Sequence, residues 1–183
     1  MLALVGAATV LGLVWLGGGL REHADPVPVV DPGARVRGAR LAFIAERAQL
    51  TARDPSRLDS GRGRPGRYLV ISLRVTNVSD ETVSADASLH RDLRIRLLAD
   101  GRPPTTLTAR PATYLERDRS LADFHPDLPE RVLLAVPLGA TPDPHGVELT
   151  FFDEVFREDF FEERRVWRPS DDVLGRTVLP VEV

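Results

Sequence analysis

The sequence predicts an antiparallel β-sandwich preceded by one transmembrane helix. Three observations carry this prediction: short segments in which apolar and polar residues alternate, turn residues between those segments, and an uncharged stretch at the amino terminus. Alternation with a period of two is typical of a strand with one face in a core and the other in water. The spacing of these segments along 183 residues suits two packed sheets around one core.

The amino-terminal stretch, residues 1–20, contains no charged side chain. A helix of this length spans about 30 Å, the hydrocarbon thickness of a bilayer. It exceeds the apolar region of a usual signal peptide, and His23-Ala24-Asp25 is a poor cleavage site. We therefore expect an uncleaved single-pass anchor with the domain outside the cytoplasm; a cleaved signal peptide, giving a secreted domain, is the alternative. Charge alone does not define the orientation, because arginines only follow the stretch.

Residues 21–37 contain three prolines, which disfavour helix and sheet, and are predicted to form an extended linker. The folded domain then comprises residues 38–183. Five segments within it alternate clearly between apolar and polar residues, and Asp100-Gly101 indicates a hairpin turn with another strand starting near Pro104. The predicted strands are 67–78, 92–98, 131–138, 147–151 and 177–183.

Two segments are ambiguous. Residues 39–52 fit both a helical spacing and strand alternation, and periodicity does not decide between them. Residues 151–167 mix aromatic pairs with acidic residues, which suits either a long hairpin or a short helix. We expect Phe156, Phe160 and Trp167 to pack in the core or under a flap, because aromatic side chains bury the most area.

The order of these segments also resembles a known family. "GRYLVISLRVTNVSDETV", then "HPDLPERVLLAVPLGA" and "VELTFFDE", then a tryptophan and a closing strand ending in "LPV", are similar to the immunoglobulin-like extracytoplasmic domains of unknown function in actinobacterial membrane proteins and lipoproteins. The resemblance covers about residues 38–183. It implies an immunoglobulin-like sandwich in which 39–52 is a strand, and it implies no catalytic residues. The chain departs from this family at Asp127-Leu128, where a Pro-Gly turn is usual, and in lacking the lipoprotein cysteine.

Composition excludes several chemistries. No cysteine is present, so disulfides, thiolate metal sites and cysteine nucleophiles are excluded. The segment Arg62-Gly63-Arg64-Pro65 looks like a hook for the DNA minor groove, but a net charge of −3 gives no basic field for a polyanion. We therefore interpret the segment as a loop and expect no nucleic acid partner. No nucleophile elbow, phosphate loop or dinucleotide fingerprint occurs.

Polar residues give only weak site candidates. The histidines show no metal-ligand spacing, and four aspartates that could gather at one end of a sandwich to hold calcium lack the regular loop pattern. A dense acidic run is interrupted by arginines, which is typical of a solvated face. The alternative is that two of its carboxylates form a catalytic pair for hydrolysis. Asn77-Val78-Ser79 fits a glycosylation acceptor but is interpreted as turn chemistry. These sets are His23, His90, His125 and His145; Asp86, Asp92, Asp123 and Asp127; and Glu154, Glu158, Asp159, Glu162 and Glu163.

These observations together predict a membrane-tethered module that acts by contact with a protein or an envelope component. We expect it to be no enzyme, with no catalytic residues, cofactor or metal. An extracytoplasmic ligand-binding or calcium-binding module is the first alternative, and a hydrolase with a carboxylate pair is the second.

Overall fold

A computed structural model describes residues 26–53, 65–107, 112–115, 123–158 and 165–183. Eleven strands and one helix lie within these ranges. The short elements are β1 (Arg35–Arg37), β4 (Val83–Ser84), α1 (Ala85–Asp92), β5 (Leu93–Leu98), β6 (Thr105–Thr106), β7 (Ala112–Leu115) and β8 (Asp123–Phe124). The long strands are β2 (Leu41–Arg53), β3 (Pro65–Asn77), β9 (Pro129–Pro137), β10 (Gly146–Glu158) and β11 (Arg165–Glu182).

The strands form two layers joined through β11. One layer has the order β6-β5-β10-β11 and the other has β2-β3-β9-β7, with β1 paired to β2. Neighbouring strands within each layer are antiparallel. The carboxyl end of β11 crosses over and pairs in parallel with β2 through Val181 and Glu182. The described part of the chain is therefore a β-sandwich, as the alternating pattern predicts.

The core lies between the two layers. Phe43 of β2 stacks on Phe151 of β10 with ring centroids 5.1 Å apart, which places the layers face to face. Side chains at every second position of each long strand line this interface, because strand residues two apart share a face. The predicted inward sets are buried: Leu69, Ile71, Leu73 and Val75; Val132, Leu134, Val136 and Leu138; and Val147, Leu149 and Phe151.

The segments left ambiguous by periodicity are strands. Residues 39–52 fall largely in β2, as the family resemblance implies. Within the second segment, residues 151–158 belong to β10 and 165–167 to β11, and the two strands pair. The helix alternative is therefore wrong for these described residues, and 159–164 lie outside them. The hairpin at Asp100-Gly101 and the following strand are confirmed as β5 and β6, with Gly101 at a φ of 65°.

Two residues depart from simple alternation. Ser72 lies on the face of β3 that alternation assigns to solvent, yet it is only 1% exposed, because β3 lies between β2 and β9. On the same face Arg74 is exposed and reaches Glu46 on β2. Val183, the last residue of the predicted strand 177–183, is fully exposed beyond β11.

The all-β prediction missed the helix α1. Its buried residues are Ala85, Ser88, Leu89 and Asp92, which recur at the spacing of one helix face. Two of these four are polar, so the apolar period that reveals a helix is absent from the sequence. Ser84 at its start makes no side-chain cap hydrogen bond, and packing against β10 and β5 therefore holds the helix in place.

Asn77 fixes the turn that follows β3. Its side-chain amide donates to the carbonyls of Glu81 and Phe124 at 2.6 and 2.9 Å, and its oxygen accepts from the Ser79 amide and hydroxyl. The residue is fully buried. These contacts therefore indicate that Asn77 stabilises the turn and is not a glycosylation acceptor.

Asp127 adopts the left-handed backbone conformation, with a φ of 57°, and its amide donates to the Asn77 carbonyl. Aspartate is one of the few residues other than glycine that tolerate this region. The turn is therefore retained although Asp127-Leu128 stands where the resembled family usually has Pro-Gly.

Among the described residues, no helix combines the length and the apolar character that a membrane crossing requires. Residues 1–20, where the anchor is predicted, and residues 21–25 of the predicted linker lie outside those residues. Residues 35–37 of that linker are not extended chain outside the domain: they form β1, which pairs with β2, and Val36 is buried in the core.

Candidate functional site

A cluster of buried charges lies at one end of the sandwich, where the β1–β2 turn, the end of α1 and strand β10 meet. A shallow crevice opens there, with an empty volume of about 150 Å³ that includes open solvent. Polar and apolar side chains share its walls. The lining residues are Gly38, Arg40, Leu41, Phe43, Asp92, Phe152, Asp153 and Glu154.

Glu154 is the centre of the charged cluster. Its side chain is 2% exposed and accepts from Nη1 of Arg40 at 3.3 Å and from Nη2 of Arg91 at 2.8 Å. The Arg91 guanidinium is itself held on α1 by the carbonyl of Ala87 and the hydroxyl of Ser88. Two cations thus neutralise one carboxylate that burial would otherwise strongly disfavour.

Asp92, the last residue of α1, faces the same crevice. It is 2% exposed, and its Oδ1 atom has no hydrogen-bond partner among the residues that the structure describes. Burial, followed by the nearby Glu154 carboxylate, raises the pKa of Asp92 from 3.8 to about 7, although Arg91 and Arg40 act to lower it. The Asp92 carboxyl therefore changes its protonation near neutral pH.

Asp153 anchors the turn that carries Arg40. Its Oδ1 atom accepts from the backbone amides of Ala39 and Glu154, each at 2.8 Å. A side chain at Gly38 would bring a Cβ within 2.8 Å of that oxygen and of Leu174. Glycine at position 38 therefore permits the close approach of the turn to β10.

Beyond the cluster, β10 and β11 continue as a paired ribbon. Their register shifts between Phe151 and Glu154, where β11 has additional residues around Ser170. The ribbon past this irregularity, residues 155–158 paired with 165–168, is called the arm below. Phe156 and Trp167 pack together on it at 5.2 Å between ring centroids.

Among the described residues, a cation–π contact joins the arm to the cluster, and much of the arm is exposed. The Arg40 guanidinium lies over the Trp167 ring at 5.1 Å. Phe156 is 48% exposed and Val155 is 39% exposed, whereas Trp167 is half-buried. Phe156 and Trp167 therefore do not belong to the sandwich core and pack only as a flap; Phe160 lies outside the described residues.

This geometry limits the chemistry that the site can perform. A carboxyl group with a pKa near 7 is suited to general acid or base catalysis. However, small-molecule sites usually enclose about 300 to 1,000 Å³, whereas this crevice leaves practically no enclosed space even for one water molecule. Glu154 is occupied by two guanidinium groups. The arrangement offers a surface for contact more readily than a chamber for a substrate.

The structure does not bring the predicted histidines together. His90 pairs with Asp86 on α1 at 2.7 Å, and His145 lies 3.1 Å from Asp100 in an exposed turn. His125 approaches the Thr82 hydroxyl at 3.5 Å. His23 lies outside the described residues.

The predicted acidic groups are also dispersed. Asp92 is buried at the cluster, Asp86 pairs with His90, and Asp123 and Asp127 are exposed near β8. No group of three histidine or acidic side chains in the described ranges is arranged to hold a metal ion. Glu158 is exposed on the arm. The remaining acidic candidates Asp159, Glu162 and Glu163, like the segment 61–64 of the DNA-hook pattern, lie outside those ranges.

Sequence reasoning named Asp92 and Glu154 separately and missed their arginine partners. Arg40 and Glu154 are 114 positions apart, so no local spacing connects them. Only the spacing of Ala85, Ser88, Leu89 and Asp92 carried a signal, since it places Asp92 on the inner face of a helix.

Comparison with known proteins identifies the fold alone. No protein-family model matches the chain, and no curated protein is significantly similar. A candidate lipoprotein from Staphylococcus aureus has a similar structure, with a TM-score of 0.52 and 12% identity over 86% of this chain and 98% of its own. An uncharacterized β-sandwich protein from Clostridium difficile 630 gives a TM-score of 0.50 and 11% identity, over 87% of this chain and 99% of its own.

Proposed function

We propose that the chain is a membrane-tethered, extracytoplasmic β-sandwich module that acts by contact with a protein or another envelope component and not by catalysis. Residues 1–20 would form the anchor, and the sandwich would be of the immunoglobulin-like type. The observation that carries the proposal is the arm, which presents Val155 and Phe156 to solvent beyond the core.

Exposed aromatic side chains on a projecting element favour contact as the role. Single apolar residues on a surface are ordinary, but here Val155, Phe156 and Trp167 are grouped on one short ribbon. Aromatic residues are enriched at binding surfaces because they bury much area at low entropic cost. The small crevice supports contact over small-molecule binding for the reason given above.

The cellular location is supported by two separate observations. The uncharged residues 1–20 are long enough to cross a bilayer. One protein of the same fold is a candidate lipoprotein, which is a class held at a membrane surface. Both observations support a position beside a membrane.

Photo-crosslinking on intact cells tests the contact. A photoreactive amino acid at position 156 should give adducts with an envelope component, whereas the same group at Val178, which is similarly exposed on β11, is the matched control. Equal adducts from both positions would contradict a role for the arm. Alkaline carbonate extraction of the membranes tests the anchor, and a full-length chain found only in the soluble fraction would overturn it.

The raised pKa of Asp92 favours a second candidate, a hydrolase in which Asp92 is the acid. Its test is the pH profile of hydrolysis of simple glycoside and ester substrates by the full chain. The hydrolase requires an activity that Asp92→Asn removes while folding is retained. Activity unchanged in that variant, or no activity above background, would reject it.

A further inference from the structure

We infer that the arm lies in the headgroup layer of the bilayer that anchors the chain. The inference rests on the proposed function, since it assumes that residues 1–20 are in that bilayer. It goes further by naming the occupant of the exposed apolar surface and the orientation of the domain. The residues that carry it are Val155, Phe156, Arg157 and Trp167.

The path of the chain into the sandwich sets the orientation. Val29 forms a parallel bridge with Arg176 of β11, through hydrogen bonds from the Val30 amide to the Arg176 carbonyl and from the Arg176 amide to the Pro28 carbonyl, each at 2.8 Å. Because this pairing is parallel, the chain followed back from Val29 runs toward the amino end of β11. That end of β11 is the arm.

The segment around Val30 also packs closely against β11. A side chain at Gly175 would bring a Cβ within 2.8 Å of Val30, so the entering segment lies directly on β11. The tether therefore joins the sandwich from the end at which the arm projects.

The connection is also short. Six residue steps separate Leu20 from Pro26, the first described residue. A fully extended chain covers at most about 3.6 Å per residue, so this connection reaches no more than about 22 Å. An anchor in the membrane thus keeps the arm end of the domain close to the headgroups.

The side chains of the arm suit that layer. Aromatic residues concentrate at membrane interfaces, where an apolar ring meets a polar boundary, and arginine pairs readily with phosphate groups. Phe156 and Trp167 provide the rings, and Arg157 is exposed beside them. Over residues 155–168 four arginines are balanced by four carboxylates, so the rings and the Arg157 guanidinium, rather than a net charge, suit the arm to a headgroup layer.

The distribution over both faces of the ribbon distinguishes a bilayer from a flat protein partner. Phe156 pairs with Trp167 on one face, whereas Val155 and Arg157 point to the other because strand neighbours alternate. A flat partner would cover one face and leave the other wet. A headgroup layer surrounds a ribbon on both faces, which fits the exposure of both Val155 and Phe156.

The experiment uses the full-length chain reconstituted in vesicles. The sequence contains two tryptophans, so the Trp15→Phe variant makes Trp167 the single reporter. Vesicles of phosphatidylcholine, with and without phosphatidylglycerol, are prepared from plain lipid and from lipid brominated near the headgroup. We expect a blue shift and a loss of Trp167 emission in brominated vesicles of both compositions, because residues 155–168 carry no net charge.

Matched variants locate the contact. Phe156→Ser and Arg157→Ser should reduce the quenching, measured for each variant as the ratio between brominated and plain vesicles. Val178→Ser, at a similarly exposed valine outside the arm, should leave it unchanged.

Each other outcome is decisive. If the chain resists carbonate extraction but Trp167 is equally bright in both vesicles, the inference is overturned and the anchor stands. Quenching or spectral change that depends on the protein-to-lipid ratio would assign the arm to contact between copies and overturn the lipid assignment. A chain that carbonate removes from the vesicles overturns both the anchor and this inference.

Discussion

Strands β10 and β11 form one ladder with two different environments. From Gly146 to Phe151 the side chains of β10 are almost all buried, because β5 pairs on its other edge and the second sheet covers its inner face. From Val155 to Glu158 the same strand keeps its pairing with β11, yet its residues are exposed. Backbone pairing alone therefore does not bury a strand. Burial requires the second layer, which ends at the charged cluster.

The boundary between the two environments is marked by Glu154. It is the last buried residue of β10, and Arg40 and Arg91 hold it from the opposite sheet edge and the helix. Polar groups thus close the core where the apolar layer stops. The arm beyond them carries the exposed apolar residues Val155 and Phe156, which we assign to contact.

The largest expected effect tests the core side of this comparison. Phe151→Ala should lower the free energy of unfolding by about 3 to 5 kcal/mol, because it leaves a cavity against Phe43. Phe156→Ala, the matched change five residues further on the same strand, should cost less than about 1 kcal/mol. Chemical denaturation of both variants measures the difference. Similar losses would show that the arm is part of the core.

The second effect tests the boundary through pH. The pKa of Asp92 is about 7 in the folded protein and 3.8 in the unfolded chain. Between pH 3.8 and about 7 the native state therefore keeps a proton that the unfolded chain has already released. Stability should therefore fall as pH rises through this window and level off above it. Asp92→Asn cannot ionise, so it should match the wild type near pH 4 and exceed it by about 2 to 4 kcal/mol near pH 8.

Denaturation curves at the two pH values provide this measurement. Asp123→Asn, at an exposed aspartate of β8, is the control and should change stability by no more than about 0.5 kcal/mol at either pH. A constant difference between Asp92→Asn and the wild type at both values would show that the buried carboxyl does not titrate in this range.

A smaller effect concerns the polar turn at the other end of β3. Asn77→Ala should cost about 1 to 3 kcal/mol, because the carbonyls of Glu81 and Phe124 lose their donor. Ser79→Ala also destroys the glycosylation pattern but keeps those two bonds, so it should cost less. Thermal unfolding of both variants separates the two roles. An equal loss in the two would contradict the structural role of the Asn77 amide.

Much of the fold was predictable because strands have a simple period. The inward sets of β3, β9 and β10 follow directly from alternation, and the hairpin at Asp100-Gly101 follows from turn chemistry. The candidate site was predictable only in part. Asp92 and Glu154 were named as acidic candidates, but as members of two unrelated groups.

The sequence by itself determined which residues of each strand face inward and that an uncharged stretch precedes the domain, since both depend on neighbouring residues alone. Tertiary structure decided the rest. The helix α1 forms because the surrounding core accommodates Ser88 and Asp92 on its inner face. The pKa of Asp92 is about 7 because burial, followed by the nearby Glu154 carboxylate, raises it. The exposure of the arm was likewise decided by where the second sheet ends. These properties depend on residues more than 60 positions apart that only the folded chain brings together.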